Sequence, residues 1–135
     1  MSQENVEIVR ALHARWNSGE RLVQDLPVYV IPDFELHSPF SSVGGEPYRG
    51  YPGLDQWMRD IDQQFAEWSI VPDNVRDIGD RVLSVSTVTA RARVSGFVTE
   101  FPAACVFDFA ADGRIGRMRI YLDVRDALKA VGLEE

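Results

Sequence analysis

Apolar residues recur at spacings of three and four near the start of the chain. Val6, Val9, His13 and Trp16 follow that spacing, and Ile8 and Leu12 widen the stripe. Such a pattern marks a helix with one buried face. Ser2 is placed to cap it, and Asn17-Ser18-Gly19 to end it, because Asn and Gly tolerate a left-handed residue. A second, short helix is predicted over Arg21 to Tyr29. Pro32 breaks the chain, and Asp33-Phe34-Glu35-Leu36-His37-Ser38 reads as a short strand. The stretch from Pro39 to Gly53 holds three of the seven prolines and four of the ten glycines, so it is predicted to be a loop. Pro52 suits the first turn of the next helix. Leu54, Trp57, Met58, Ile61, Phe65 and Trp68 then repeat at helical spacing, which predicts a third helix that stops before Pro72.

The second half changes period from 3.6 to 2. Arg81 to Val94 is a long strand rich in Val and Thr, turned by Ser95-Gly96. Phe97 to Phe109 is the next strand, Asp112-Gly113 a hairpin turn, and Arg114 to Leu122 the last strand. A short helix from about Val124 to Val131 closes the chain, with Asp123 at its N-cap and Gly132 at its end. Helices followed by a strongly bent antiparallel meander make an α+β layout. Three helices packed into the concave side of the curved sheet would bury the apolar face of each partner. No repeat, linker or composition break divides the chain, and residues 1–135 read as one domain.

Composition narrows the partners. Of 135 residues, 45% are hydrophobic and 26% charged, which is globular composition rather than disorder. The formal net charge of −7 argues against nucleic acid or an anionic membrane as partner, since both carry dense negative charge. The one cysteine, Cys105, cannot form an intrachain disulfide, and no residues fall at zinc-like spacing. The N-terminus lacks a basic region followed by an apolar run, and no apolar stretch reaches bilayer length. The expectation is a cytoplasmic protein with no metal or organic cofactor.

Local motifs carry a resemblance. Asn17-Ser18-Gly19-Glu20 follows the first helix. Glu46-Pro47-Tyr48-Arg49-Gly50 leads to Gly53-Leu54 and Trp57. Asp112-Gly113-Arg114-Ile115 makes the last hairpin, and Tyr121-Leu122-Asp123 precedes Ala127-Leu128 and Gly132-Leu133. In this order and spacing the chain resembles the nuclear transport factor 2-like superfamily, and within it the SnoaL-like proteins. The resemblance implies a cone-shaped fold with an apolar pocket inside the curved sheet. It leaves activity open, because the superfamily includes isomerases, cyclases, dehydratases, epoxide hydrolases and non-catalytic domains.

The superfamily's catalytic positions are incomplete here. Steroid isomerases place a carboxylate base before the proline that follows the first strand, and Ser38 stands there. Their first-helix Tyr aligns with Leu12, and their protonated Asp with Cys105. The Asp of SnoaL-type cyclases aligns with Ile120. Limonene-type epoxide hydrolases need an Asp–Arg–Asp set. Arg91 or Arg93 could supply the arginine, but no Asp lies two residues away.

The remaining candidates each carry a structural alternative. His37 is the best proton-transfer group, since such chemistry needs a side chain that titrates near neutrality at the pocket. Strict alternation would instead turn Glu35 and His37 away from Phe34, Leu36 and Ser38. Tyr48 could donate to a ligand oxygen or anchor its loop. Arg91 would orient a ligand if its strand face is concave, and meets solvent or a second copy if it is convex. Asp123 resembles a family acid and is also placed as a helix cap. His13 fits a core histidine bonded to a carbonyl.

By family register, Cys105 and Phe107 face the pocket, where Cys105 is a small apolar wall residue. A nucleophilic role would need a base, and only His37 could serve. Met118, Ile120 and Leu122 form the matching face of the last strand. With Trp16, Trp57, Met58 and Phe65 they would line a largely apolar cavity.

The opposite face presents Arg117, Arg119 and Tyr121 beside Val98, Glu100, Ala104 and Val106, a mixed surface suited to a homodimer through the outer sheet face. The expected function is a pocket for a small apolar molecule such as a polyketide, terpenoid or steroid-like compound. In it His37, with Tyr48 or Arg91, would perform acid–base isomerisation, cyclisation, dehydration or hydrolysis. The alternative is a non-catalytic ligand-binding or dimerisation domain.

Overall fold

The computed structural model describes residues 2–17, 26–39 and 46–133. Along them run α1 (Ser2–Asn17), α2 (Leu26–Tyr29), β1 (Val30–His37), β2 (Tyr48–Arg49) and α3 (Gly50–Gln64), followed by β3 (Phe65–Ile78), β4 (Arg81–Ala92), β5 (Val98–Phe109), β6 (Ile115–Tyr121) and α4 (Val124–Ala130). The strands form one sheet in the order β2-β1-β6-β5-β4-β3. Only the β1–β6 pair is parallel. Register shifts in β1, β3 and β5 bend the strands into an α+β cone.

One face of this sheet carries the main core. Phe34 and Leu36 of β1, Met118 and Ile120 of β6, Cys105 and Phe107 of β5, and Val82, Val88 and Ala90 of β4 pack there. Val9 and Leu12 of α1 and Leu54, Trp57 and Ile61 of α3 cover them. The stripes that predicted α1 and α3 are thus the faces that meet the sheet. Helix α4 lies on the other face, where Ala127 packs on Leu83, Ala104 and Val106. Ala104 and Val106 are therefore covered, and do not contribute to the open mixed surface expected of that face.

The third helix is shorter than its periodicity predicts. Phe65 and Trp68 continue the helical spacing but belong to β3, which pairs with β4 from Phe65↔Ala92 to Ile78↔Arg81. The bound before Pro72 is likewise replaced by a strand running through it. Pro72 is tolerated because β3 is the sheet edge and its register slips between Pro72 and Asn74, where a missing N–H breaks no ladder. The meander therefore has four long strands rather than three. Strand β1 begins at Val30, three residues before the predicted start, and the predicted loop contains β2 and the first turn of α3. Arg21 to Asp25 of the predicted second helix, the Ser18-Gly19 stop and loop residues 40–45 lie outside the described residues.

Two local features follow their sequence signals. Asp123 caps α4, its carboxylate accepting from the Arg125 N–H. At the entry to α3, Gly50 has φ +68, and a Cβ on Gly53 would stand 2.9 Å from the Tyr48 carbonyl carbon. The Arg-Gly-Tyr-Pro-Gly run is thereby tied to a close approach of helix to strand.

Candidate functional site

Inside the cone the buried polar residues among those described are His13, Ser38, Ser84 and Ser86, with no carboxylate. His13 projects from α1 onto β3 and β4. Its Nδ1 is 3.2 Å from the Ile70 carbonyl and its Nε2 is 3.3 Å from Ser84 Oγ. A carbonyl only accepts, so Nδ1 carries the proton and Nε2 accepts from the Ser84 hydroxyl. Burial lowers the His13 pKa to about 4, against a raising hydrogen bond to Ile70 and a further lowering from Arg10. The ring is therefore neutral near pH 7.

Asn17, one turn on, fixes the same point of the edge strand. Its Nδ2 donates to the Ile70 carbonyl and its Oδ1 accepts the Ile70 N–H, both at 2.9 Å. Helix α1 thereby satisfies polar groups that the edge of the sheet would leave open.

Cys105 stands opposite Ser84 in register and hydrogen-bonds its side chain. Burial pushes the thiol up to about 12, so it remains protonated and inert as a nucleophile. The nearby ring is that of His13, not His37. Trp16 packs edge-on to His13 at 5.6 Å and tilted against Trp57 at 5.5 Å, and His13 also meets Phe107 edge-on at 6.0 Å. Trp57 donates to Ser38 Oγ at 3.0 Å, occupying the residue that stands at the isomerase base position. Two interior polar atoms, Trp16 Nε1 and Ser86 Oγ, are buried without a hydrogen-bond partner.

Most of the predicted wall gathers here. Trp16, Trp57, Met58, Phe65, Cys105, Phe107, Met118 and Ile120 all belong to the main core. Leu122 does not, being 49% exposed. Strand β6 ends at Tyr121 and the chain turns into α4, so Leu122 leaves the sheet before it can face inward.

The four predicted catalytic residues are not brought together. Leu36 pairs with Met118 in the core, and the neighbouring pairs Glu35↔Arg117 and His37↔Arg119 therefore point to the outer face. Tyr48 donates to Asp60 of α3 at 2.7 Å and anchors its loop. Arg91 lies on the outer face in an ion pair with Glu67 at 2.8 Å. Asp123 is held by Arg125, whose hydrogen bonds keep its carboxyl below the usual range.

His37 nonetheless borders a space. A cleft of about 260 Å³ lies at the ends of β1 and β6, between His37, Arg119 and Tyr121 of the outer face and the inward-facing Ser38 and Ile120, with Glu46 and Pro47 at its edge. His37 Nε2 is 3.2 Å from Glu35 Oε1, and Arg49 holds the other oxygen of that carboxylate. These two hydrogen bonds, from His37 first and Arg49 second, keep Glu35 below the usual carboxylate range.

Sequence reasoning read His13 as a core histidine bonded to a carbonyl, as found, but named neither Ile70 nor Ser84 as its partner and missed Ser84 and Ser86 altogether. His13 meets Ile70 and Ser84 across 57 and 71 residues, and no local spacing encodes such contacts. The alternation of β4 does place Ser84 and Ser86 on one face with Val82 and Val88, and that is the only signal present.

The architecture is an α+β cone whose interior is apolar with a few neutral polar groups. The model of the SnoaL-like domain matches residues 9–118. The chain belongs to the SnoaL-like family. No curated protein matches it. Among solved structures, a protein from Jannaschia sp. CCS1 assigned as a SnoaL-like polyketide cyclase is 21% identical, with a TM-score of 0.76 over 99% of this chain and 95% of its own. TerC, crystallised with polyporic acid, is 18% identical, with a TM-score of 0.76 over 96% and 98%. A Catenulispora acidiphila protein with a ketosteroid isomerase-like fold, in complex with trimethylamine, is 17% identical, with a TM-score of 0.73 over 94% and 93%. At these identities the likeness is one of fold.

Proposed function

We propose that this chain binds a small, uncharged, mainly apolar molecule bearing one or two oxygens against the concave face of its sheet. A polyketide-, terpenoid- or steroid-like compound has this chemistry. The observation that carries the reading is the pair of unpartnered buried groups, Ser86 Oγ and Trp16 Nε1, in an otherwise satisfied apolar interior. A buried polar group without a partner is costly and is a place where a ligand or water completes the hydrogen bond. Every buried polar side chain described there is neutral near pH 7, which favours a ketone, phenol or hydroxyl over an ion. That relatives of this fold were crystallised with polyporic acid and with trimethylamine supports small-molecule binding. Among the described residues the buried set lacks the carboxylate on which isomerase and cyclase chemistry depends, which favours binding over that catalysis. A pairing of two copies would use the outer face that α4 leaves open, around the exposed Val98.

The test is a thermal-shift screen of steroids, terpenoid epoxides and aromatic polyketides. A ligand of the native state raises Tm by mass action. Hits should persist in His37→Ala and shrink in Ser86→Ala and in Trp16→Phe, which keeps the ring and removes the N–H. Hits indifferent to both interior variants would overturn the reading.

A second reading is acid–base chemistry by His37. It is favoured by the hydrogen bond to Glu35, which orients the ring beside the cleft. It requires turnover that His37→Gln abolishes while interior ligands still raise Tm.

A further inference from the structure

The wall of the cone is thinnest at one place. Among the described buried residues, Ser38 at 7% and Ile120 at 6% keep the most exposure, and all others are at 3% or below. Both line the cleft of about 260 Å³ at the ends of β1 and β6. The cause is topological. The β1–β6 ladder stops at the His37↔Arg119 pair. There the cleft meets side chains of both sheet faces, His37, Arg119 and Tyr121 from the outer one and Ser38 and Ile120 from the inner one.

Behind these two residues lies the polar row of the interior. Ile120 pairs in register with Cys105, and side chains so paired stand about 5 Å apart at Cβ. Cys105 pairs in turn with Ser84, the partner of His13. Ile120 is thus the single strand position between the cleft and Cys105. Ser38 holds the other part of the floor. Its Oγ accepts the Trp57 N–H at 3.0 Å, and the Trp57 ring leans on Trp16 at 5.5 Å. The Trp16 N–H is one of the two unpartnered interior groups. A neutral hydrogen bond is a weak latch, since its loss shifts an equilibrium by only about three- to tenfold.

We propose that this cleft is the door to the interior, closed by Ile120 and by the Trp57 ring that Ser38 latches. Opening breaks the Trp57–Ser38 bond and displaces Ile120, and a small apolar molecule then passes from the cleft to the row of Cys105 and Ser84. Each barrier is one side chain, so slender molecules enter before bulky ones. The functional meaning of the door rests on the reading that the interior takes a ligand, but its opening is measurable without one.

The reporter is Cys105, the one cysteine of the chain, fully buried while the door is closed. The full chain is incubated with methyl methanethiosulfonate, a small uncharged reagent, at about pH 8, and the adduct is followed by mass. The thiolate of an exposed Cys105 attacks the reagent and displaces methanesulfinate. Labelling should run at least about tenfold faster than global unfolding allows, and should respond weakly to low denaturant, as local opening does. Fluorescein maleimide, too bulky for a narrow opening, should label no faster than global unfolding. Ser38→Ala should speed labelling by the small reagent about three- to tenfold. Leu128→Ala, which loosens α4 on the opposite face, should change it by less than about twofold, since distant sites act independently. Should Ser38→Ala fold poorly, Ile120→Val trims the floor instead and should also speed labelling. Labelling limited to the rate of global unfolding, no acceleration in the floor variant, or equal acceleration in Leu128→Ala would each overturn the proposal. A failed ligand screen leaves these rates unaffected, and a failed door leaves interior ligands to enter elsewhere.

Discussion

The two faces of the same strands obey different rules. On the concave face β4 and β5 present Ser84, Ser86 and Cys105 among Val82, Val88 and Phe107. On the outer face the adjacent positions are Arg81, Arg91, Arg117 and Arg119, paired with Asp108 and Glu67. A side chain one residue along a strand changes from a neutral group sealed in hydrocarbon to an ion facing water. The difference teaches what each face can recognise. A sealed interior can keep neutral hydrogen-bonding groups but not free charge. The outer face can hold charge because neighbouring strands and water share it.

The contrast can be broken most forcefully at Phe107. It is fully buried at the centre of the concave face, and Phe107→Ala should cost about 3–5 kcal/mol in denaturant unfolding. A loss below about 1 kcal/mol would mean that the interior is loosely packed there.

Acid is the next lever. The folded His13 pKa of about 4 lies below its ordinary 6.5, so the unfolded chain binds the extra proton between those values. Unfolding free energy must then rise with pH across that window and fall on acidification, by about 3 kcal/mol in total. The stability of His13→Asn should lack this slope, and an unchanged slope would place the acid sensitivity elsewhere.

Ser86→Ala sharpens the comparison by a smaller amount. Because Ser86 Oγ has no partner, its removal should change stability by no more than about 1 kcal/mol without ligand, in the stabilising direction. A clear destabilisation would reveal a bond to ordered water. The smallest effect belongs to the outer face. Arg91 and Glu67 are both largely exposed, so Arg91→Ala should cost about 0.5 kcal/mol or less and lose even that in high salt.

Much of this architecture was legible because its cues are local. Val9, Leu12 and Trp16 announced α1, Gly113 the last hairpin and Asp123 the cap of α4. Phe65 and Trp68 misled because their spacing of three continues the helical period, whereas in the fold pairing with β4 makes them strand and a register shift between Phe65 and Glu67 lets their rings meet. Alternation put Cys105 with Phe107 and Met118 with Ile120, and both pairs lie in the main core. The polar anchors of the interior were not foreseen, since Ser84 and Ser86 look like ordinary strand residues until α1 is laid over them. Arg91 and Tyr48 were selected for their chemistry, and each is held by a partner outside its own segment, Glu67 and Asp60, whereas Asp123 is held locally by Arg125.

By itself the sequence determined the α+β class, the periodicity of each main element but β3, and which residues of a strand share a face. Those properties depend on spacing along the chain. The tertiary structure decided which face is inside, that His13 is neutral beside Ser84, and that His37 and Arg119 meet at an outer cleft. Burial and partners set those properties, and both come from residues far apart in the chain.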